Sequence, residues 1–295
     1  LKKIVLLVLS LVLVFFYIFY PIANTLIYNI RLNRLIFVFT VGGGLSISSF
    51  ILQSITRNQL ASEYTLGITS GVAFFASIAY VININPFVVS LISGFLITFF
   101  LVFFVRKRLD SNSFIITGIA LGIFFGTGIS FINYITGFRS SQALSRWIFG
   151  SFSVYTYSET IIISLAFIFL LFVFYINLPK IILISVSHIY EEILGVRFKK
   201  NIVLIIFAIG VFTSFSSSFV GPIPFYALVI ANIVRILFKS DINNTVFYLF
   251  FSGFILVFLD FISKNIFFYE EVPIGILTGL ICLPLVFISL FKIRY

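Results

Sequence analysis

RLNRLIFVFTVGGGLSISSFILQSITRNQLASEYTLGITSG, residues 31–71, decides the fold. Its centre, about 35–55, is an apolar run long enough to cross a bilayer as a helix. Arg31 and Arg34 precede the run and Arg57 follows it. The segment Val41-Gly42-Gly43-Gly44-Leu45-Ser46-Ile47-Ser48 is not a phosphate-binding loop, because it lacks both the Gly-Lys-Ser/Thr ending and a preceding strand. Inside an apolar helix, Gly and Ser are small packing residues. A second apolar stretch begins at about 65 and carries Gly67 and Gly71 four residues apart.

The same pattern repeats outward in both directions. Ten apolar spans are expected, at about 4–22, 35–55, 65–82, 86–105, 113–136, 158–177, 202–219, 222–238, 245–263 and 273–291. The first follows Lys2 and Lys3, but Ile4 to Tyr20 is longer than a signal-peptide core and no small-x-small cleavage site follows. It is expected to be retained. The chain has 295 residues, 61% of them hydrophobic and 9% Asp, Glu, Lys or Arg. A soluble domain carries about 25% charged residues, so 9% cannot cover a water-soluble globule. Ten spans take roughly 200 residues. The remainder leaves no room for a soluble catalytic or nucleotide-binding domain. The expected fold is all-α and polytopic, one transmembrane domain over residues 1–295.

The net charge is +10. In a soluble chain this would suggest a nucleic-acid partner. Here the positive-inside rule gives a different meaning. With both termini in the cytoplasm, 14 basic residues fall inside and five (Arg31, Arg34, Arg139, Arg146, Lys264) fall outside. The 42 phenylalanines fit lipid-facing positions, and the lone Cys282 lies in an apolar run and forms no internal disulfide or metal site. No catalytic constellation is present. The only histidine, His188, lies in a loop, and no carboxylate pair sits deep in a span as a proton relay requires.

The longest cytoplasmic connection, about 178–201, reads LPKIILISVSHIYEEILGVRFKKN. Gly195 after a helical run is a C-cap signal, so short helices on the membrane face are expected. The segment either docks a cytoplasmic partner or is a solvated loop. Gly118, Gly122 and Gly126 form a ridge in the fifth span, for tight helix packing or for the wall of a pathway. Asp260 and Lys264 form an (i, i+4) pair that stabilises a helix end, or Lys264 faces an external partner. Arg31 and Arg34 share a face if the second helix begins there, and serve such a partner or lipid headgroups.

Several segments in order resemble the permease subunits of the ABC importers for iron–siderophores, haem and cobalamin, the FecCD family. They are residues 31–71, ITGIALG at 116–122, RWIFGSFS at 146–153, EEILGV at 191–196, VGPIPFYALVIANIVR at 220–235 and EVPIGILTGLICLPLVF at 271–287. The resemblance implies a permease dimer, of two copies or two related chains, around a central pathway in a bacterial cytoplasmic membrane. Two cytoplasmic ATPases and an extracytoplasmic solute-binding protein complete it, with no cofactor, no nucleic acid and no enzymatic activity in this chain. It implies binding-protein docking at Arg31, Arg34 and Lys264. It implies ATPase coupling at Glu191, Glu192, Gly195 and Arg197. A cytoplasmic gate is implied in the short loop Leu109–Ser113, with Asp110, Ser111, Asn112 and Ser113. Iron–siderophore is the expected cargo, with haem or cobalamin the alternatives. An ion-coupled secondary transporter would need ionisable or broken-helix sites near the midplane, and a membrane scaffold leaves the ordered motifs unexplained. The sequence departs from the family pattern at Asn33 and Gln59, each in place of Pro, and at Ala231-Asn232 in place of Pro-His.

Overall fold

The computed structural model describes residues 14, 17, 25–107, 111–152, 156–186, 199–238, 245–266 and 271–292. Among these residues every regular element is a helix. In chain order they are α1 (Thr25–Thr56), α2 (Ile68–Val81), α3 (Pro86–Lys107), α4 (Ser111–Ile148), α5 (Tyr157–Val186), α6 (Lys199–Val220), α7 (Tyr226–Phe238), α8 (Thr245–Asn265) and α9 (Ile274–Lys292). Val14 and Tyr17 are also helical, inside the expected first span. Five segments are long and apolar enough to cross a membrane: Ile27–Thr56, Pro86–Phe103, Ser113–Thr136, Tyr157–Ile184 and Lys200–Val220. The protein is an all-α integral membrane protein of about ten helices.

Local chemistry explains several boundaries. α3 opens on Asn85, whose Oδ1 accepts from the Phe87 N–H at 3.0 Å, with Pro86 in the first helical position, where its missing N–H costs nothing. α5 opens on a capping box. The Thr156 N–H donates to Glu159 Oε2 at 2.7 Å and the Glu159 N–H to Thr156 Oγ1 at 3.4 Å.

Four boundaries differ from the sequence expectation. α1 begins ten residues before the expected span, so Arg31 and Arg34 lie on the helix, three residues apart. α4 runs on to Ile148, making residues 137–148 helix instead of loop. α5 continues through Pro179 to Val186, so the first part of the expected 178–201 loop is helix. Pro179 removes the helical bond to the Tyr175 carbonyl; two residues earlier the Asn177 amide donates to the Val173 carbonyl at 2.8 Å, and its Oδ1 accepts from Asn201 at 2.7 Å, which ties α5 to α6. Finally, Ser111, Asn112 and Ser113 form the first turn of α4 and are not loop residues. Small polar residues suit a helix start.

α1 is the central helix, and its three glycines show why. Successive helix positions turn by about 100°, so Gly42, Gly43 and Gly44 face three directions. A Cβ on Gly42 would lie 2.7 Å from Leu256 Cβ of α8, on Gly43 3.2 Å from Phe167 of α5, and on Gly44 2.1 Å from Phe212 of α6. The same device joins α3 to α6. A Cβ on Gly94 would meet Ser214, and one on Gly210 would meet Thr98. Both hydroxyls turn back to a carbonyl four residues earlier on their own helix, at 2.6 and 2.8 Å. Close approach of small residues is what holds helices together where lipid removes the hydrophobic incentive.

Candidate functional site

Two polar sites lie at opposite ends of α1. At its start, the Arg34 guanidinium is shared by two carboxylates. Nη2 and Nε donate to Asp260 at 2.7 and 3.1 Å, and Nη2 and Nη1 donate to Glu271 at 2.9 and 3.0 Å. Asp260 is 1% exposed and Glu271 44%. Tyr17 donates its hydroxyl to Asp260 at 2.6 Å. Lys264 donates to the Tyr17 hydroxyl at 3.0 Å and stands 3.6 Å from Asp260. The expected Asp260–Lys264 pair is therefore present, but the closer partner of Asp260 is Arg34. A buried carboxylate needs several donors to offset its lost hydration, and here Arg34 and Tyr17 supply three hydrogen bonds while Lys264 adds a nearby charge. Arg31, one turn before Arg34, is half-buried.

Three connections interlock at the same end. The Ser151 N–H donates to the Val220 carbonyl at 2.9 Å. Those of Ile274 and Gly275 donate to the Gly150 and Phe149 carbonyls at 2.9 and 2.8 Å. The Val272 N–H reaches Ser263 at 3.2 Å, and the Ser263 hydroxyl returns a bond to the Val272 carbonyl. Gly150 and Gly221 have φ of 70° and 83°, conformations that glycine adopts without strain. Residues 149–151, 220 and 272–275, parts of three motifs far apart in sequence, thus form one layer beside the Glu271 that holds Arg34.

At the far end of α1, Arg57 takes a left-handed φ of 52°. Its Nε and Nη2 donate to the Ile184 carbonyl of α5 at 3.0 and 2.6 Å. That carbonyl belongs to the last turn of α5, where a cation is favoured. The connection after Arg57 packs against α7. The Asn232 amide donates to the Gln59 carbonyl at 3.0 Å and to the Leu228 carbonyl at 3.1 Å. Two departures from the family pattern therefore touch each other. Glu63, in the same connection, is 2% exposed and its Oε2 has no hydrogen-bond partner. Burial pushes its carboxyl up to about 8.

A profile of the FecCD transport family matches residues 4–292. The chain belongs to this family. Among known FecCD-like proteins, the petrobactin import system permease YclN of Bacillus subtilis is 29% identical over 265 residues, covering 85% of this chain and 81% of that protein. The vitamin B12 import system permease BtuC of Yersinia pseudotuberculosis is 27% identical over 278 residues, covering 91% and 82%. A solved inward-facing metal-chelate type ABC transporter superposes with a TM-score of 0.87 at 23% identity, covering 99% of this chain and 98% of that one.

The remaining expected sites fare differently in this FecCD chain. The Gly118–Gly122–Gly126 ridge divides along its length. A Cβ on Gly118 would lie 2.6 Å from the Leu66 backbone, one on Gly122 would have Ser70 Oγ at 3.8 Å, and one on Gly126 would meet nothing within 4 Å. The lower ridge packs against the start of α2, where Gly67 (φ 78°) makes the reciprocal approach to Gly118 and Leu121. The upper ridge is open, among exposed Ile119, Ile123 and Phe131. Glu191, Glu192, Gly195, Arg197 and His188, and Asp110 of the gate region, lie outside the described residues. Among the described residues no group of three or more His, Cys, Asp or Glu is placed to hold a metal. Cys282 is buried and free. Sequence reasoning missed Tyr17, Glu63 and Glu271. Of these, only Glu271 had a usable signal: a charged residue directly before the Val-Pro that opens a membrane helix.

Proposed function

We propose that the chain is the permease subunit of an ABC importer that takes up an iron chelate, most simply an iron–siderophore. Two permease subunits would enclose the pathway, two ATPases would drive them from the cytoplasm, and an external solute-binding protein would deliver the cargo. The family match across residues 4–292 carries this reading. The petrobactin relative supports the cargo class. The vitamin B12 relative keeps cobalamin as the second reading.

The proposed mechanism is alternating access, with each end of α1 given a role. The start of α1, with Arg31, Arg34 and Lys264, faces outward and receives acidic residues of the binding protein. Charge complementarity there orients encounter and speeds association. The opposite end faces the ATPase. Arg57 ties α1 to the last turn of α5, directly before the segment holding Glu191, Glu192, Gly195 and Arg197, so ATPase movement reaches the central helix by a short route. The gate is Asp110 with Ser111, Asn112 and Ser113, the last three forming the first turn of α4. The open Gly126 face of α4 lines the pathway, where the glycine leaves room for a bulky chelate beside apolar Ile119 and Ile123. The test is uptake of labelled ferric siderophores, haem and cobalamin by a strain lacking this permease, with and without the gene restored. Restored uptake of a ferric siderophore alone supports the reading. Restored uptake of cobalamin alone moves the assignment to the second reading.

A further inference from the structure

We infer that Glu271 is an internal stand-in for the binding protein's carboxylate, and that docking proceeds by exchange of one acid for the other on Arg34. This rests on the docking role proposed above. The geometry separates the two acids that share the guanidinium. Asp260 is buried and holds the Nε–Nη2 edge, and Tyr17 and Lys264 hold Asp260 in turn. It fixes the orientation of Arg34. Glu271 takes the Nη1–Nη2 edge from an exposed position in the connection before α9. Together the two acids occupy at least four of the five N–H donors of the guanidinium. An incoming carboxylate therefore cannot form a two-pronged bond with Arg34 while Glu271 remains.

Charge leads to the same place. Arg34 and Lys264 are balanced by Asp260 and Glu271, so this cluster offers no net positive charge to an approaching acid until Glu271 moves aside. Displacing Glu271 costs less than displacing Asp260, because Glu271 is 44% exposed and regains water when it leaves, whereas the Asp260 contact is buried and stays. Exchange also has a mechanical consequence. Glu271 sits three residues before Ile274, in the connection whose backbone pins Gly150, Phe149 and Ser263. Its release removes one anchor from the start of α9.

The experiment measures the affinity of the solute-binding protein encoded with this permease for the intact transporter in nanodiscs, at low and moderate salt. The variants are Glu271→Gln, Arg34→Gln and the double variant, with Arg34→Lys as a less disruptive substitute should Arg34→Gln misfold. Exchange predicts that Glu271→Gln tightens binding about fivefold and that the gain disappears when Arg34 is replaced. If Arg34→Gln or Arg34→Lys weakens binding while Glu271→Gln leaves it unchanged or weakens it, the exchange is refuted and docking on Arg34 stands. A gain from Glu271→Gln that persists without Arg34 reflects distant charge alone and also refutes the exchange. If replacing Arg34 changes nothing, the docking role itself is wrong.

Discussion

Gly44→Ala isolates the packing that makes α1 the central helix. The new Cβ would lie 2.1 Å from Phe212 Cζ and 2.4 Å from Cε1, where carbon atoms need about 3.5 Å or more. One side must move by more than an ångström. Phe212 is fully buried, with its ring 6.1 Å from that of Phe167, so it has no open space to enter. Overpacking of this kind costs about 1–3 kcal/mol, and a displacement this large belongs at the upper end. Alanine recovers about 1 kcal/mol of helix propensity, leaving a net loss of about 2 kcal/mol. Gly126→Ala is the matched control, since its Cβ meets nothing within 4 Å and the propensity gain is the same. The difference between the two variants, about 3 kcal/mol, is the packing contribution alone. Equilibrium unfolding in mixed SDS micelles, followed through the single tryptophan, Trp147, measures both. Gly44→Ala should also be partly rescued by Phe212→Leu. Equal stability of Gly44→Ala and Gly126→Ala would refute the close approach of α1 and α6.

Other outcomes follow from single contacts. Arg57→Ala removes two charge-assisted bonds to the Ile184 carbonyl and should cost about 1.5–3 kcal/mol in the same unfolding assay; a neutral result would mean that carbonyl has another donor. Glu63 has a folded-state pKa of about 8 against 4.5 for the free side chain. Between those values the folded state holds the proton and the unfolded state does not, so stability falls as pH rises from 4.5 to 8, by about 1.4 kcal/mol per unit at most. Glu63→Gln should flatten that slope in detergent thermal melts between pH 5 and 8, and an unchanged slope would show that Glu63 is not its source. Gly126→Leu should leave stability unchanged or raise it by up to about 1 kcal/mol through helix propensity while blocking uptake, and normal uptake would remove the α4 face from the pathway.

Much of the fold was legible because bilayer thickness imposes itself on sequence. Runs such as 86–105 and 202–219 show where a helix crosses, and the helices fall there. Their ends were less legible. Once a chain leaves the hydrocarbon region, polarity no longer reports whether it stays helical, so α4 continues past Arg139 and α5 past Pro179. The Gly and Ser of 41–48 were readable as packing residues, but which helix each one meets depends on tertiary arrangement. The crossing of Gly94 and Thr98 with Gly210 and Ser214 left no comparable mark, since SGFLIT and GVFTS are ordinary in such a sequence. At the candidate site, Arg34 and Lys264 stood out as costly charges at a membrane edge. Asp260 was readable as the partner of Lys264, but the acids that hold Arg34 were not. Asp260 sits 226 residues from Arg34 and Glu271 237, and one sequence carries no record of which distant acid meets which base. The contact between Gln59 and Asn232 was hidden for the same reason, although both positions had been marked as departures.

The central claim is tested most directly by uptake into proteoliposomes. The permease is reconstituted with its ATPase, and the binding protein, loaded with a labelled ferric siderophore, is supplied outside. The account predicts accumulation that requires both ATP and the binding protein, and that falls when Arg31 and Arg34 are changed to Glu. Accumulation that proceeds without the ATPase, driven by an ion gradient, would contradict it.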